Sequence, residues 1–550
     1  MLKENLVQTL EEAIRNHWYA PALADYGSAA CSYGQVAERI LRLHGLFDRF
    51  GVGKGDKIAL IGKNSVNWCL VYLAAVTCGA VIVPILPDFS GEDVQHIVNH
   101  SDAVLLFASE GVSEKLDEGS MKKLDAILSL TDFSLIYAKR SSWMGYPEKA
   151  ARNFADKYGR FLSPDNFRFP RVKNAETAAI VYTSGTTGFS KGVMLAHNSL
   201  IANIRFARTH MPLRAGDRIV SFLPLAHAYG CAFEFLFPFC LGCDITLLGK
   251  TPSPKIILQA FSEIRPRLVL SVPLVIEKIY RSKIRSKIEK TPVRLLRKVP
   301  GIGGMIEKKV LRALNSAFGG NFHEIIIGGA PFNAEVAEFL EKIGFRFTVG
   351  YGMTECGPLI SYTGSGKFRL HSVGQCVDTL EVRIDSPDPQ RVIGEILVKG
   401  ENVMQGYYKN PKATREVIDK AGWLHTGDLG IVDNDGFIFI RGRSKSMLLG
   451  PSGENVYPEE IEARLNNMAC VQESLVVERS GQLVALVYPD PEAVDAHGMD
   501  EAGLKDLMEK NRRALNAALP SAWAIARIEM FPEEFEKTPT RKIKRFIYSV

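Results

Sequence analysis

The run Thr183-Ser-Gly-Thr-Thr-Gly-Phe-Ser-Lys-Gly192 places five hydroxyl residues, three glycines and one lysine in ten positions. Hydroxyls donate hydrogen bonds, glycines let the backbone turn its N–H groups inward, and a lysine adds mobile positive charge. Together these make a phosphate cradle, assigned to Thr183, Ser184, Gly185, Thr186, Thr187, Gly188 and Lys191. The apolar run "AAIVY" before it reads as a strand, so the loop leaves a strand end. The spacing is not that of the Walker loop, because the lysine lies three residues after Gly188 and precedes a glycine. Taken alone, the stretch also reads as a flexible surface loop.

With its flanks, "YTSGTTGFSKGVMLAH" closely resembles the phosphate-binding signature of the AMP-forming acyl-CoA synthetase superfamily. Further blocks follow in the family's order, so the resemblance covers essentially the whole chain. It implies that Gly328, Gly329 and Ala330 of "GGAP" lie against adenine and shape the acyl pocket. In "VGYGMTECGP" it places Tyr351 and Gly352 beside the nucleotide, Thr354 on the α-phosphate and Glu355 on the Mg²⁺ that accompanies ATP. A carboxylate suits that hard cation, which usually keeps several waters. Asp428 of "GWLHTGDLG" accepts from the ribose hydroxyls, Arg443 adds a nucleotide contact, and Lys445 takes the hinge position. His227 of "FLPLAHAYG" falls near the reacting carboxylate, and the Gly453 segment borders the channel for coenzyme A.

Lys542 of "EKTPTRKIKR" matches the lysine that bridges the substrate carboxylate and the α-phosphate while negative charge develops. A cation placed there is a strong catalytic device. Read without the resemblance, the same letters make a basic surface tail. The chain departs from the family pattern at Arg541, where glycine usually precedes the lysine, and at Ser446, where an acid often follows the hinge.

The implied reaction is ATP-dependent activation of a fatty acid as acyl-AMP, followed by transfer to the thiol of CoA. "PSGENVYPEEIE" resembles bacterial long-chain fatty acid–CoA ligases and tilts the acid toward medium or long chains. The apolar "CAFEFLFPF" reads as the lining of an acyl tunnel or as a buried helix. Two alternatives stay open: an acyl carrier protein as the acceptor, and an acyl-adenylate binding protein without catalysis.

Positioning such residues requires a large scaffold. At 550 residues, with 46% hydrophobic and 23% charged residues, the chain can bury more than one core. Short β-branched runs such as "KIALIG", "AVIVPI", "AVLLFA" and "HEIIIGGA" alternate with helical patterns. This is α/β organisation with parallel sheets and helices on their faces. After about residue 370, "EVRIDS", "GEILVKG" and a hairpin around Asn434-Asp435-Gly436 read as a β-rich subdomain. Residues 1–442 are expected to form the large adenylate-forming domain, and 443–550 a small mobile α+β lid.

A formal charge of +6 suits anionic small molecules or an anionic membrane surface and does not point to nucleic acid. The nine scattered cysteines read as reduced, buried thiols, including Cys240 and Cys243. The longest apolar run, "CLVYLAAVTCGAVIVPILP", is broken by Gly79 and Pro84 and reads as helix, turn and buried strand. The expected location is cytoplasmic. From Lys278 to Lys298 there are nine basic residues and one acid, with Tyr280, Ile284 and Ile288 at spacing four. That pattern suits a helix lying on an anionic membrane; a solvated basic face or a docking patch for an acyl carrier protein is the alternative.

Overall fold

The computed structural model describes the chain except residues 115, 141–161, 184–189, 250–252, 281–301, 450–454, 497, 539–541 and 549–550. At its centre lies an eight-stranded sheet. Lys57–Ile61 pairs in parallel with both Val81–Ile85 and Ala103–Ala108, and Thr177–Thr183 and Ala126–Ser129 extend the parallel set. The broken apolar run folds as expected. Val66–Cys78 is a helix capped at its start by the Ser65 hydroxyl and at its end by Gly79 with φ +86°, and the fully buried strand Val81–Ile85 follows.

The phosphate-loop segment departs from the simple alternation of strand and helix. Thr177–Thr183 is followed by a second strand, Lys191–Ala196, in antiparallel register, with Thr183 opposite Lys191. The pair returns the chain to the sheet and brings the predicted lysine beside the strand it left. At the sheet edge, the short strand Gly406–Tyr407 pairs with Val193 and Met194 from more than two hundred residues away.

A second, parallel sheet joins Leu268–Ser271, Glu324–Ile327 and Phe347–Val349. The β-rich part is an antiparallel sheet of Leu380–Asp385, Gly394–Gly400, Leu424–Val432 and Ile438–Arg443. From Val456 onward, apolar residues gather in cores of their own, built on the hairpin Val471–Arg479 and Gln482–Pro489 and the long helix Glu501–Ala518. The C-terminal part is thus α+β, as its patterning implies.

"CAFEFLFPF" is a buried helix with a π-type turn over Cys231–Leu236 that passes into Phe237–Leu241. Such wide turns are frequent at functional sites. Phe233, Phe235, Phe237 and Phe239 are all fully buried. Tyr280, counted above on a membrane-facing stripe, is instead buried with its ring 5.1 Å from that of Phe339. The rest of that basic stretch, from 281, lies outside the described residues. Among the described residues no helix is long and apolar enough to cross a membrane.

Phe235 packs edge-on against both Trp68 and Tyr72 and reaches Phe239. Phe235→Ala is therefore expected to cost about 3–5 kcal/mol, the range for emptying a large core site. Chemical denaturation measures this; an unchanged midpoint would contradict the packing described.

Candidate active site

Gly328–Ala330, Thr354 and Glu355 lie just beyond strand ends, the usual location of ligand sites in open α/β sheets, whereas Asp428 and Arg443 sit within the antiparallel strands Leu424–Val432 and Ile438–Arg443. After Glu324–Ile327 the chain enters Gly328–Ala330, where the Gly328 N–H donates to the Ser271 carbonyl at 3.0 Å. A β-carbon on Gly328 would lie 3.3 Å from the Tyr229 ring, so glycine allows that ring to pack against the backbone. The Tyr229 hydroxyl donates to the Ile326 carbonyl at 3.0 Å and ties the His227 segment to this turn. Gly328 is buried, whereas Gly329 and Ala330 are exposed.

After Phe347–Val349 come Tyr351, Gly352, Thr354 and Glu355. A side chain at Gly352 would place its β-carbon 2.2 Å from the Pro358 carbonyl oxygen, closer than any real contact, so the turn requires glycine. Thr354–Cys356 is a single 3₁₀ turn, and the Thr354 carbonyl accepts from the Gly357 N–H at 3.1 Å. The Met404 N–H donates to the Glu355 carbonyl at 2.8 Å. The Tyr407 hydroxyl donates to Glu355 Oε1 at 2.9 Å, and Lys191 Nζ sits 4.9 Å from the centre of the Tyr407 ring. Tyr407 therefore connects the phosphate-loop lysine to the predicted metal-binding acid. Burial, and then the Glu355 charge, push the Tyr407 phenol well up, so it remains a donor.

Asp428 is buried and accepts twice, from the Tyr351 hydroxyl at 2.6 Å and from Arg443 Nε at 2.8 Å. Asp428 and Arg443 are also cross-strand partners. The paired carboxylate raises the Arg443 pKa further. An ionised carboxylate offers about four lone-pair sites, so acceptor capacity remains for hydroxyls of a bound sugar. The Tyr351 ring is 9% exposed, held between this bond and the core.

His227 Nδ1 accepts from the Tyr229 N–H at 3.3 Å, which leaves the proton of the neutral ring on Nε2. Burial, with a further push from the Lys542 charge, lowers its pKa to about 4. Lys542 is thus within electrostatic reach of His227, although its segment belongs to the C-terminal part. Its own pKa is lowered, first by partial enclosure and then by Arg443, against the opposing pull of Asp428 and Glu355. Solvent still reaches the side chain. The structure therefore gathers His227, Glu355, Asp428, Arg443 and Lys542 from widely separated blocks. Lys445 is exposed just beyond Arg443. Ser184, Gly185, Thr186, Thr187, Gly188 and Gly453 lie outside the described residues, as does Arg541.

Beneath His227, Leu225, Ala226, Cys231, Ala232, Leu236 and Tyr72 enclose a small apolar cavity of about 10 Å³, with room for one water-sized sphere. Its wall is chemically suited to hydrocarbon, but an acyl chain has to displace side chains to enter. Tyr229 and Tyr407 are absent from the sequence assignment. The repeated tyrosine of "GYYKNP" is the one sequence signal near Tyr407.

The family model of the AMP-binding enzymes matches residues 10–408. The chain belongs to the AMP-binding enzyme family. Among its relatives, long-chain-fatty-acid–CoA ligase FadD15 of Mycobacterium bovis is 30% identical, over 90% of this chain and 86% of its own length. Long-chain-fatty-acid–[acyl-carrier-protein] ligase AEE15, chloroplastic, of Arabidopsis thaliana is 27% identical, over 94% of this chain and 80% of its own. The fold of this AMP-binding enzyme matches the crystal structure of ATP-bound MatB from Rhodopseudomonas palustris with a TM-score of 0.76 and 23% identity, over 99% of this chain and 98% of that one.

Because Lys542 helps to depress His227, removing its charge should raise the imidazole pKa from about 4 toward the ordinary 6.5. NMR titration of the ring in the wild type and in K542A measures this. An identical midpoint in both proteins would show that the lysine does not face the histidine.

Proposed function

We propose that this chain is an AMP-forming fatty acid–CoA ligase acting on medium- to long-chain acids in two steps on one site. The observation that carries the reading is the placement of Lys542, from the C-terminal lobe, among His227, Arg443, Asp428 and Glu355. In the first step a carboxylate oxygen attacks the α-phosphorus of ATP, the bond to the β-phosphate oxygen breaks, and pyrophosphate leaves. Negative charge accumulates between the carboxylate and the α-phosphate, where Lys542 stands as a cation and Thr354 offers a hydroxyl donor. Lys191, held over Tyr407, serves the departing phosphates. Asp428 receives the ribose hydroxyls, and Gly328–Ala330 gives adenine a flat backbone surface.

Neutral His227 can donate from Nε2 to a carboxylate without competing with it for a proton. Glu355, anchored by the Tyr407 hydroxyl, fits a Mg²⁺ ion that arrives with ATP and keeps most of its waters. When bound, that ion neutralises charge on the leaving pyrophosphate.

In the second step the lobe formed by residues 443–550 turns about Lys445 and withdraws Lys542. The CoA sulfur attacks the acyl carbon, and AMP leaves with the electron pair of the broken anhydride bond. The similarity to the Arabidopsis long-chain-fatty-acid–[acyl-carrier-protein] ligase supports a carrier-protein thiol as the alternative acceptor.

K542A should slow pyrophosphate release from ATP and a fatty acid by roughly 100- to 1,000-fold, the scale of losing one preorganised charge contact. Conversion of supplied acyl-AMP to acyl-CoA should be largely spared. Equal loss in both half-reactions would overturn the division of labour, and running the second assay with CoA and with carrier protein identifies the acceptor.

A further inference from the structure

Lys542 is carried by a short C-terminal segment that needs an anchor of its own. The segment folds back on itself: the Thr538 N–H donates to the Lys542 carbonyl at 2.8 Å, and the Lys542 N–H donates to Thr538 Oγ1 at 3.2 Å. The Lys544 N–H donates to the Glu536 carbonyl at 2.9 Å. Past it, the Tyr548 ring packs edge-to-face with Phe531 and Phe535, and its hydroxyl accepts from the Glu536 N–H at 2.7 Å. These bonds shape the segment but do not aim it at the site.

Lys537 ties the start of the segment to Glu473 at 2.6 Å, and beyond Lys542 a second side chain ties it to a helix of the same part. Arg545 forms a two-pronged contact with Glu462, with Nη1 donating to Oε1 at 2.8 Å and Nη2 to Oε2, and it lies 3.8 Å from Glu459 Oε1. Both acids belong to the helix Pro458–Leu465. That helix packs on the end of the Ile438–Arg443 strand, where a β-carbon on Gly442 would meet the Tyr457 ring at 3.0 Å and Glu459 Oε2 at 3.5 Å. Arg443 in turn pairs with Asp428. A continuous line of contacts thus runs from the Asp428 carboxylate through Arg443, the Gly442 packing and the Pro458–Leu465 helix to Arg545, three residues beyond Lys542.

We infer that Arg545, through its grip on Glu462, is a positioning residue that sets where Lys542 stands during adenylate formation. A two-point guanidinium–carboxylate contact fixes orientation as well as distance, which a single lysine contact cannot do. The tie lies wholly within the C-terminal lobe, so it travels with Lys542 when the lobe turns. Its loss therefore falls on the half-reaction that uses Lys542. Burial raises the Glu462 pKa to about 7 against the opposing pull of Arg545. Without the arginine, Glu462 takes up a proton instead of remaining a buried anion. It keeps the bond that Oε1 accepts from the Val476 N–H at 2.7 Å. The lobe is thus expected to fold while the lysine loses its aim.

The inference rests on the role proposed above for Lys542, so K542A is measured beside R545A. R545A should slow adenylate formation by roughly 10- to 100-fold while thioester formation from supplied acyl-AMP stays within about threefold, because misplacing a catalytic group by an ångström has that scale of effect. R545K should recover only part of the rate, and the exchanged pair R545E/E462R more than either single change. If K542A abolishes adenylation and R545A leaves it intact, the positioning role is wrong and the catalytic lysine stands. If K542A leaves adenylation intact, the proposed role of Lys542 has failed first. Equal loss in both half-reactions of R545A would reduce Arg545 to a general structural role; should that variant lose its cooperative melting transition, the same comparison on R545K decides.

Discussion

A carboxylate taken out of water must be paired or give up its charge, and Asp428 is the place where this chain pairs one. Its two oxygens accept from Tyr351 and Arg443, which come from different strands. Removing either donor would take one hydrogen bond from a buried carboxylate; because the Arg443 side chain is half exposed, water makes up part of that loss. The node therefore locks the end of the parallel sheet to the antiparallel sheet, with Lys445 exposed two residues beyond Arg443. Lys542 is drawn toward the same carboxylate and toward Glu355, and is opposed by Arg443. These opposing charges act on Lys542 together, with no one of them its sole electrostatic neighbour. A lysine bound to Asp428 outright would be unavailable to a substrate anion.

Tyr407 and Tyr229 perform similar joining tasks with neutral groups. Tyr407 bonds Glu355 and lies under Lys191, so the edge strand Gly406–Tyr407 is held at the phosphate end of the main sheet by chemistry as well as by backbone pairing. Tyr229 bonds the Ile326 carbonyl and fills the space left by Gly328, so the His227 segment and the adenine-side turn cannot move independently. Together the two tyrosines tie segments far apart in the chain into one floor beneath the cluster.

Much of this was legible in the residues themselves. Alternating β-branched and helical runs announced the parallel sheets, and Gly79 marked the turn after a helix because only glycine takes its left-handed conformation readily. Thr354, Glu355, Asp428, Arg443 and Lys542 were singled out by the resemblance of their motifs to the family signature; read one at a time, Glu355 and Asp428 pass as ordinary structural or surface residues and Lys542 as part of a basic tail. What stayed hidden depends on separation along the chain. The two-residue strand at Gly406 has no periodicity to detect, and Arg545 with Glu462 is a pair 83 residues apart. Tyr280 misled for a related reason: a stripe at spacing four shows that one face is apolar, but not whether core or lipid covers it. The antiparallel return at Lys191 was unreadable because a glycine-rich loop can lead equally well into a helix or a strand.

The central claim is that the acid is joined to AMP through one of its own oxygens at this cluster. Turnover of a fatty acid labelled with ¹⁸O in both carboxylate positions, with ATP and CoA, tests this directly by ³¹P NMR and mass spectrometry of the products. The account predicts one ¹⁸O in AMP, one retained in the thioester carbonyl and none in pyrophosphate. Unlabelled AMP, or label in pyrophosphate or orthophosphate, would contradict it.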